Sequence, residues 1–300
     1  GPSRSIGDTV ARAALAAGAA YVDAGGDEPL RRGLAGSGRP VVLAAGLSPG
    51  LSGLLPRWLA AKLPEPARRL RAWCGGLERF TPAAAADMVA SLGDGSGGSD
   101  GSDGSGGGGE SMAAWRAGAP AGHALKAIHD AVVPPFPGRV SAYPYLSHET
   151  RRLAAELGLA EVDWYHVIAG RHTLATLNEL RTTGERSAHD CLRAGARLVA
   201  AAELDLAGLR PYQVIVLELQ GTSLSQTLML RAADGYRLTA AVTAAAVDAV
   251  LSGTVPAGAH LAADVLDPDD VVARLTTTNA VTMLQVTAGT AVAAIEEGVL

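Results

Sequence analysis

The sequence predicts an α/β protein in which a short parallel sheet, half of a doubly wound domain, precedes a second unit of the α+β type. Two observations lead to this prediction. Helix-like and strand-like segments alternate three times over residues 1–75, an order that is typical of a parallel sheet with helices on its faces. Two neighbouring runs, residues 212–219 and 226–231, then have the pattern of paired strands, which indicates a mixed or antiparallel sheet.

The first part of the chain supplies the elements of the parallel sheet. Apolar residues recur at helical spacing from Ile6 to Ala17, and Gly18 ends this helix. Strands are predicted over residues 19–23 and 40–45, and the second is wholly apolar, as buried parallel strands are. The other predicted elements are a helix near residues 29–34, a helix over 51–59 that Pro56 should kink or restart, and a strand over 70–74.

The chain changes character after residue 75, and three units are predicted: residues 1–75, 76–235 and 236–300. Residues 93–109 contain only Gly, Ser and Asp, which is the composition of a flexible linker and cannot form a core. The elements predicted in the later units are helices over 82–92, 147–157, 186–204 and 238–251, and strands over 139–145, 161–168 and 281–286. Ser147 is expected to cap the second of these helices.

The composition excludes several classes of protein. The chain of 300 residues carries a formal net charge of −5, whereas a nucleic-acid-binding protein needs a dense basic face. Its basic cluster, residues 68–71, is interpreted as a solvated edge of a strand or helix. Two distant cysteines, Cys74 and Cys191, form neither a disulfide framework nor a zinc spacing, and no metal is expected. Since no apolar run reaches the ~18 residues that span a bilayer, we expect a cytoplasmic protein without membrane or nucleic-acid partners.

Three short motifs match catalytic or nucleotide-binding patterns but lack the required chemistry or context. Gly46-x-Ser48-x-Gly50 matches the nucleophile elbow of hydrolases. That elbow needs the backbone N–H after the serine for its oxyanion hole, and Pro49 has none. Two Gly-x-Gly-x-x-Gly matches fall inside residues 93–109, without the strand and helix that would bring a helix N-terminus to a pyrophosphate.

Polar residues at the ends of the first two predicted strands mark a candidate site. Asp23 ends one strand, and the turn of residues 46–50 follows the next. In open α/β sheets, ligands bind in the crevice at the carboxyl ends of the strands, so both features are expected to face one cleft. The alternative for Asp23 is a simple turn role before Gly25.

Histidines at and after the predicted strand 161–168 suggest two different roles. His166 lies on its apolar face beside Trp164 and is interpreted as a structural histidine. His172 and Arg171 follow the end of the strand and are candidates for lining a pocket.

Several segments, taken in order, resemble the saccharopine dehydrogenase-like family of NAD(P)-dependent oxidoreductases. They are Gly1-Pro2, residues 19–23 (AAYVD), Asp27-Glu28, residues 45–51 (AGLSPGL), Gly75-Gly76-Leu77, residues 113–118 (AAWRAG), residues 137–140 (PGRV) and residues 253–260 (GTVPAGAH). The resemblance spans nearly the whole chain. It implies a partial Rossmann-like parallel sheet and a second α+β domain that binds substrate and often dimerises, with the C-terminal segment returning to the first domain.

The resemblance also implies a reaction and a set of site residues. The reaction is hydride transfer from NADP or NAD to a C=N bond, or less favourably a C=O or C=C bond, of a small amino-acid-derived or specialised metabolite. The implied cofactor-binding residues are Gly1, Pro2, Tyr21, Asp23, Gly46, Pro49 and Gly50. The catalytic candidates by position are Asp23, Tyr143, His148 and His172, and the substrate-binding candidates are Trp115, Arg116 and Tyr145.

Two of these assignments leave alternatives open. An imine needs a proton donor with a pKa near 7, which favours a histidine among the candidates without choosing one of them. Trp115 is alternatively a core residue, and Arg116 a surface residue beside it.

The sequence departs from the family's pattern in one respect. The family's glycine-rich phosphate loop precedes the turn that Gly1-Pro2 resembles by some tens of residues, and the sequence begins after that point. We expect a preceding strand followed by Gly-x-Gly-x-x-Gly or Gly-x-Gly-x-x-Ala, and a homodimer acting on a small molecule. The alternative is a truncated, non-catalytic dimerisation or binding module that holds no cofactor.

Overall fold

The computed structural model describes residues 6–92, 109–181 and 188–291. These residues form a mixed α/β structure with a three-stranded parallel sheet and a ten-stranded mixed sheet, which confirms the predicted fold class. The predicted linker lies outside the described residues except for Gly109, and so do Gly1 and Pro2.

Helices and strands alternate along the described chain. The helices are α1 (Thr9–Ala16), α2 (Glu28–Gly33), α3 (Leu51–Ala60), α4 (Pro82–Leu92), α5 (His148–Glu156), α6 (Arg171–Arg181), α7 (Ala188–Asp205), α8 (Gly235–Leu251), α9 (Ala262–Val265) and α10 (Pro268–Thr277). The strands are β1 (Tyr21–Val22), β2 (Pro40–Leu43), β3 (Arg69–Leu77), β4 (Glu110–Ser111), β5 (Ala114–Arg116), β6 (Ala119–Ala121), β7 (Ile128–Val132), β8 (Arg139–Leu146), β9 (Glu161–Ile168), β10 (Tyr212–Gln220), β11 (Leu224–Ala232), β12 (Gly258–Leu261) and β13 (Met283–Thr290).

The small sheet has the strand order β1-β2-β12, and its strands are parallel. Tyr21 of β1 is in register with Val41 of β2, so the two strands predicted first in the sequence lie side by side. Val41, Val42 and Leu43 have no exposed surface, which explains why β2 is apolar at every position.

Two helices near this sheet can be compared with the predictions made for Gly18 and Pro56. Gly18, just after α1, takes a φ of +76°, a left-handed conformation that glycine adopts readily and that ends helices. In contrast, α3 continues through Pro56, so the predicted restart of this helix is wrong. Leu54 and Leu59 on the same helix are fully buried in the main core, and this packing outweighs the local cost of the proline.

The large sheet has β3 near its centre. Its order is β13-β11-β10-β3-β9, and β9 pairs on its other side with β5 and β8. β10 and β11 are antiparallel, as predicted, whereas β3 and β9 are parallel. One face of the sheet, including Trp164, Ile215 and Leu217, packs against α3, α5, α8 and α10 to form the main core.

The structure contains elements that the sequence did not predict. The short strands β4 to β7, helix α6 and strand β12 are the clearest of these. None of the helices in the described ranges is both long and apolar enough to cross a membrane.

Ser147 caps α5, which confirms the sequence prediction. Its Oγ accepts a hydrogen bond from the Thr150 amide at 3.0 Å. We expect Ser147→Ala to lower the free energy of unfolding by about 1 kcal/mol, measured by urea denaturation, because one amide of the first turn loses its partner. Ser252→Ala, at the exposed end of α8, is the control and should change the stability by less than about 0.5 kcal/mol.

Candidate functional site

The carboxyl ends of β1 and β2 meet at one edge of the parallel sheet. The Ala45 amide donates to the Asp23 carbonyl oxygen at 2.9 Å and so joins the two strand ends. The turn of residues 46–50 (the 46–50 turn) begins at this point. A Cβ added at Gly46 would lie only 2.5 Å from the carbonyl oxygen of Ala24. The structure therefore brings Asp23 and the 46–50 turn together, with glycine required where their backbones touch.

The carboxylate of Asp23 accepts two hydrogen bonds within its own strand end. The Tyr21 hydroxyl donates to one oxygen at 2.7 Å, and the Gly25 amide donates to the other at 2.9 Å. Burial, together with the bond to Asp23, raises the pKa of Tyr21 to about 12, so Tyr21 stays a neutral donor. The turn role considered for Asp23 is thus present, and each carboxylate oxygen retains capacity for a further donor.

Glu149 fixes the 46–50 turn from the large sheet's side of the molecule. Its Oε1 accepts from the Gly50 amide at 2.8 Å, and its Oε2 accepts a short hydrogen bond from the Ser52 hydroxyl. Burial raises the pKa of Glu149, while these two hydrogen bonds act in the opposite direction. His148 is the preceding residue, so the structure places this predicted catalytic candidate at the start of α5, beside the residue that binds the turn.

A partly buried polar group that the sequence analysis missed follows β3. Glu78 comes directly after this strand, and Gln213 of β10 lies beside it. The Gln213 amide satisfies its partners when its nitrogen donates to Glu78 Oε1 and its oxygen accepts from the Gly75 amide at 3.1 Å. Burial and the nearby carboxylate of Asp234 raise the pKa of Glu78 to about 7.

Glu78 lies beside the 46–50 turn. A Cβ added at Gly235, the first residue of α8, would lie 2.9 Å from Glu78 Oε1 and 3.1 Å from Leu47 Cδ2. The end of β3, the start of α8 and the 46–50 turn therefore meet at one point. The candidate site is the region where these three elements and the carboxyl end of β1 come together.

Two aromatic rings occupy the neighbouring part of the large sheet. The rings of Tyr145 and His166 make an edge contact with their centroids 5.4 Å apart. The Tyr145 hydroxyl accepts from the Gly109 amide at 2.5 Å. Burial lowers the pKa of His166 to about 4, so this ring is neutral at neutral pH and fits the structural role expected for it.

The other predicted catalytic residues lie in two different places. Tyr143 is in register with His166, and its ring makes an edge contact with His129 at a centroid distance of 5.6 Å. His172 lies in the first turn of α6, and its backbone amide donates a hydrogen bond to the Asp205 carboxylate at 2.9 Å. The contacts of His172 thus join it to the end of α7 rather than to the 46–50 turn.

The two predicted substrate-binding residues of β5 have structural contacts. The Trp115 indole is buried in the main core and donates to the Leu159 carbonyl oxygen at 2.9 Å. Arg116 forms an ion pair with the buried Asp163 at 2.6 Å. These contacts match the alternative considered for Trp115, but they replace a simple surface role for Arg116 with an ion pair to a buried carboxylate.

Asp163 also changes the interpretation of the basic cluster at residues 68–71. Its carboxylate, on the central strand β9, lies 3.7 Å from Arg69 and 3.5 Å from Arg71 on the neighbouring strand β3. Only 3% of the Asp163 side chain is exposed. Arg69 and Arg71 therefore remain partly solvated, and they also pair with a buried carboxylate that the sequence analysis did not predict, because alternate residues of a strand point to one face.

Comparison with known proteins finds no matching family model and no matching curated protein. The resemblance to the saccharopine dehydrogenase-like family therefore stays a prediction. In the three described ranges, no group of three or more His, Cys, Asp or Glu side chains is arranged to hold a metal ion.

Proposed function

We propose that this protein is an NAD(P)H-dependent oxidoreductase of the saccharopine dehydrogenase-like type. Its reaction would be reduction of the C=N bond of a small amino-acid-derived or specialised metabolite. The observation that carries the proposal is the parallel pairing of β1 with β2, which places Asp23 and the 46–50 turn at a shared carboxyl edge. Such edges are where open parallel sheets bind nucleotides and other ligands.

The residues at this edge fit the nicotinamide and ribose end of a dinucleotide. The Asp23 carboxylate is an acceptor for a sugar hydroxyl, and Tyr21 holds it in place. Gly46 and Gly50 present main chain without side chains, although the packing of the turn itself already requires both glycines. When bound, the cofactor supplies the hydride, and this chain's residues orient the acceptor and provide a proton.

We also propose that the protein works in the cytoplasm as a homodimer. Cys74 and Cys191 are both free and buried, which supports a reducing compartment such as the cytoplasm. We keep a homodimer as the expected assembly, since β13 forms an outer edge of the large sheet and carries exposed residues on both faces.

Cofactor binding tests the proposal directly. We expect NADPH or NADH to quench the tryptophan fluorescence of the full-length gene product in a saturable way. Asp23→Asn should weaken that binding about tenfold, because a charge-assisted hydrogen bond is lost while the turn to Gly25 is kept. The matched control is Asp130→Asn on the exposed strand β7, which should leave the affinity unchanged. Absence of binding by both dinucleotides would favour the non-catalytic module instead.

A further inference from the structure

We propose that the carboxyl group of Glu78 donates the proton to the nitrogen of the substrate's C=N bond, at the point where β3, α8 and the 46–50 turn meet. This inference rests on the proposed function and adds to it the identity of the proton donor. Glu78 belongs neither to the resemblance segments nor to the candidates predicted from the sequence.

The position of Glu78 is the first argument. β3 runs parallel to β9 in the centre of the large sheet. Cys74 of β3 packs in the main core, and Glu78, four residues later, is expected on the same side of the strand. Glu78 and Leu47 of the 46–50 turn both lie against Gly235, so the two side chains are close to each other. Glu78 as a residue keeps part of its surface exposed.

The orientation of the carboxyl group is the second argument. Gln213 is 1% exposed, and its amide is held at both ends, by Gly75 and by Glu78. Because Oε1 of Glu78 accepts the amide N–H, the proton of the neutral acid sits on Oε2. The fixed amide therefore leaves Oε2 as the oxygen that can donate to a substrate.

The charges around Glu78 keep it protonated up to neutral pH. Three groups interact with it: the Asp234 carboxylate before α8, the Cys74 thiol on β3 and the neutral Gln213 amide on β10. Arg237 lies 3.6 Å from Asp234 and balances part of that charge. Burial raises the pKa of the Cys74 thiol to about 12, so it adds no negative charge. With a pKa of about 7, Glu78 can give and regain a proton at working pH.

The chemical step balances in atoms and electrons. The C=N carbon gains a hydride from the reduced nicotinamide, the π bond breaks toward nitrogen, and the nitrogen takes the proton from Glu78 Oε2. The products are an amine, the oxidised nicotinamide and the Glu78 carboxylate, which solvent reprotonates.

The test compares Glu78→Gln with wild type in two measurements. The first is an infrared pH titration of the full-length protein, in which wild type should lose a protonated-carboxyl band near pH 7 and Glu78→Gln should lack that band. The second is reduction of a cyclic imino acid, pyrroline carboxylate, by NADPH. We expect Glu78→Gln to lower kcat by about 100-fold or more while the affinity for NADPH stays unchanged.

Controls separate this proposal from the proposed function. Glu65→Gln replaces a glutamate that accepts hydrogen bonds from the Ser223 and Leu224 amides, and it should alter neither measurement. Glu78→Asp keeps a carboxyl group that can donate a proton, so it should retain part of the activity. This variant provides a test even if Glu78→Gln does not fold. If wild type reduces the imine and Glu78→Gln does so equally well, Glu78 is not the donor, but the reductase proposal survives. If wild type binds neither dinucleotide or leaves the imine unreduced, both proposals fall.

Discussion

Replacing Asp163 with alanine is expected to lower the free energy of unfolding by about 2–3 kcal/mol, because a buried, charged hydrogen-bond acceptor is lost while its three arginine partners remain partly solvated. The carboxylate is almost fully buried and lies among Arg69, Arg71 and Arg116, with the closest contact at 2.6 Å to Arg116. Removing it leaves three guanidinium groups close together without their shared counter-charge. Urea denaturation at neutral pH measures the loss.

An exposed ion pair supplies the control for Asp163. Asp130 and Arg139 are 3.0 Å apart, but their side chains are 77% and 60% exposed, so solvent screens the attraction. Asp130→Ala should therefore cost less than about 1 kcal/mol. Equal small losses for the two variants would show that the cluster around Asp163 contributes no more than a surface ion pair.

The contribution of Glu78 to the free energy of unfolding should fall as the pH rises from about 4.5 to about 7. The pKa of its carboxyl is about 7 in the folded protein and near 4.5 in the unfolded chain. In this window the folded state keeps a proton that the unfolded state releases. Its contribution to stability is thus fully present below pH 4.5 and is lost as the pH passes through 7. The total change amounts to roughly 3 kcal/mol.

The difference between wild type and Glu78→Gln isolates this contribution. Glu149, with its raised pKa, acts in the same direction, whereas His166, with a pKa of about 4, loses stability as the pH falls below about 6.5. Both groups are present in the two proteins, so their effects cancel in the difference. Urea unfolding between pH 4 and pH 8 should show the wild-type advantage shrinking as the pH rises. Parallel curves for the two proteins would contradict a raised pKa at Glu78.

Much of the secondary structure could be predicted because local signals agree with the tertiary packing. β2 is apolar at every position and is buried, and Ser147 caps α5 as its hydroxyl predicts. The strands β4 to β7 were missed because they are only two to five residues long, which is too short for a period of two to develop. At Pro56 the local signal predicted that the helix would restart, but α3 continues through this residue because the helix around it is buried.

The candidate site could be predicted only where a topological rule applies. Asp23 and the 46–50 turn follow strands of one parallel sheet, so their proximity follows from the sheet itself. Glu78 was missed because its properties depend on Gln213 and Asp234, which belong to distant parts of the sequence. The only local signal was a charged residue directly after a strand that ends in Gly75-Gly76-Leu77. The partner of Arg69 and Arg71 was missed for the same reason, because Asp163 lies on another strand.

The central place of β3 has a consequence for the order of events during biosynthesis. Its Cys74 contacts Gln213, which lies 139 residues later in the chain. At ~5–20 residues per second, a ribosome needs on the order of ten seconds to make the intervening segment. Until then the edge of β3 that pairs with β10 has no partner, and an unpaired strand edge is a site at which a nascent chain can aggregate.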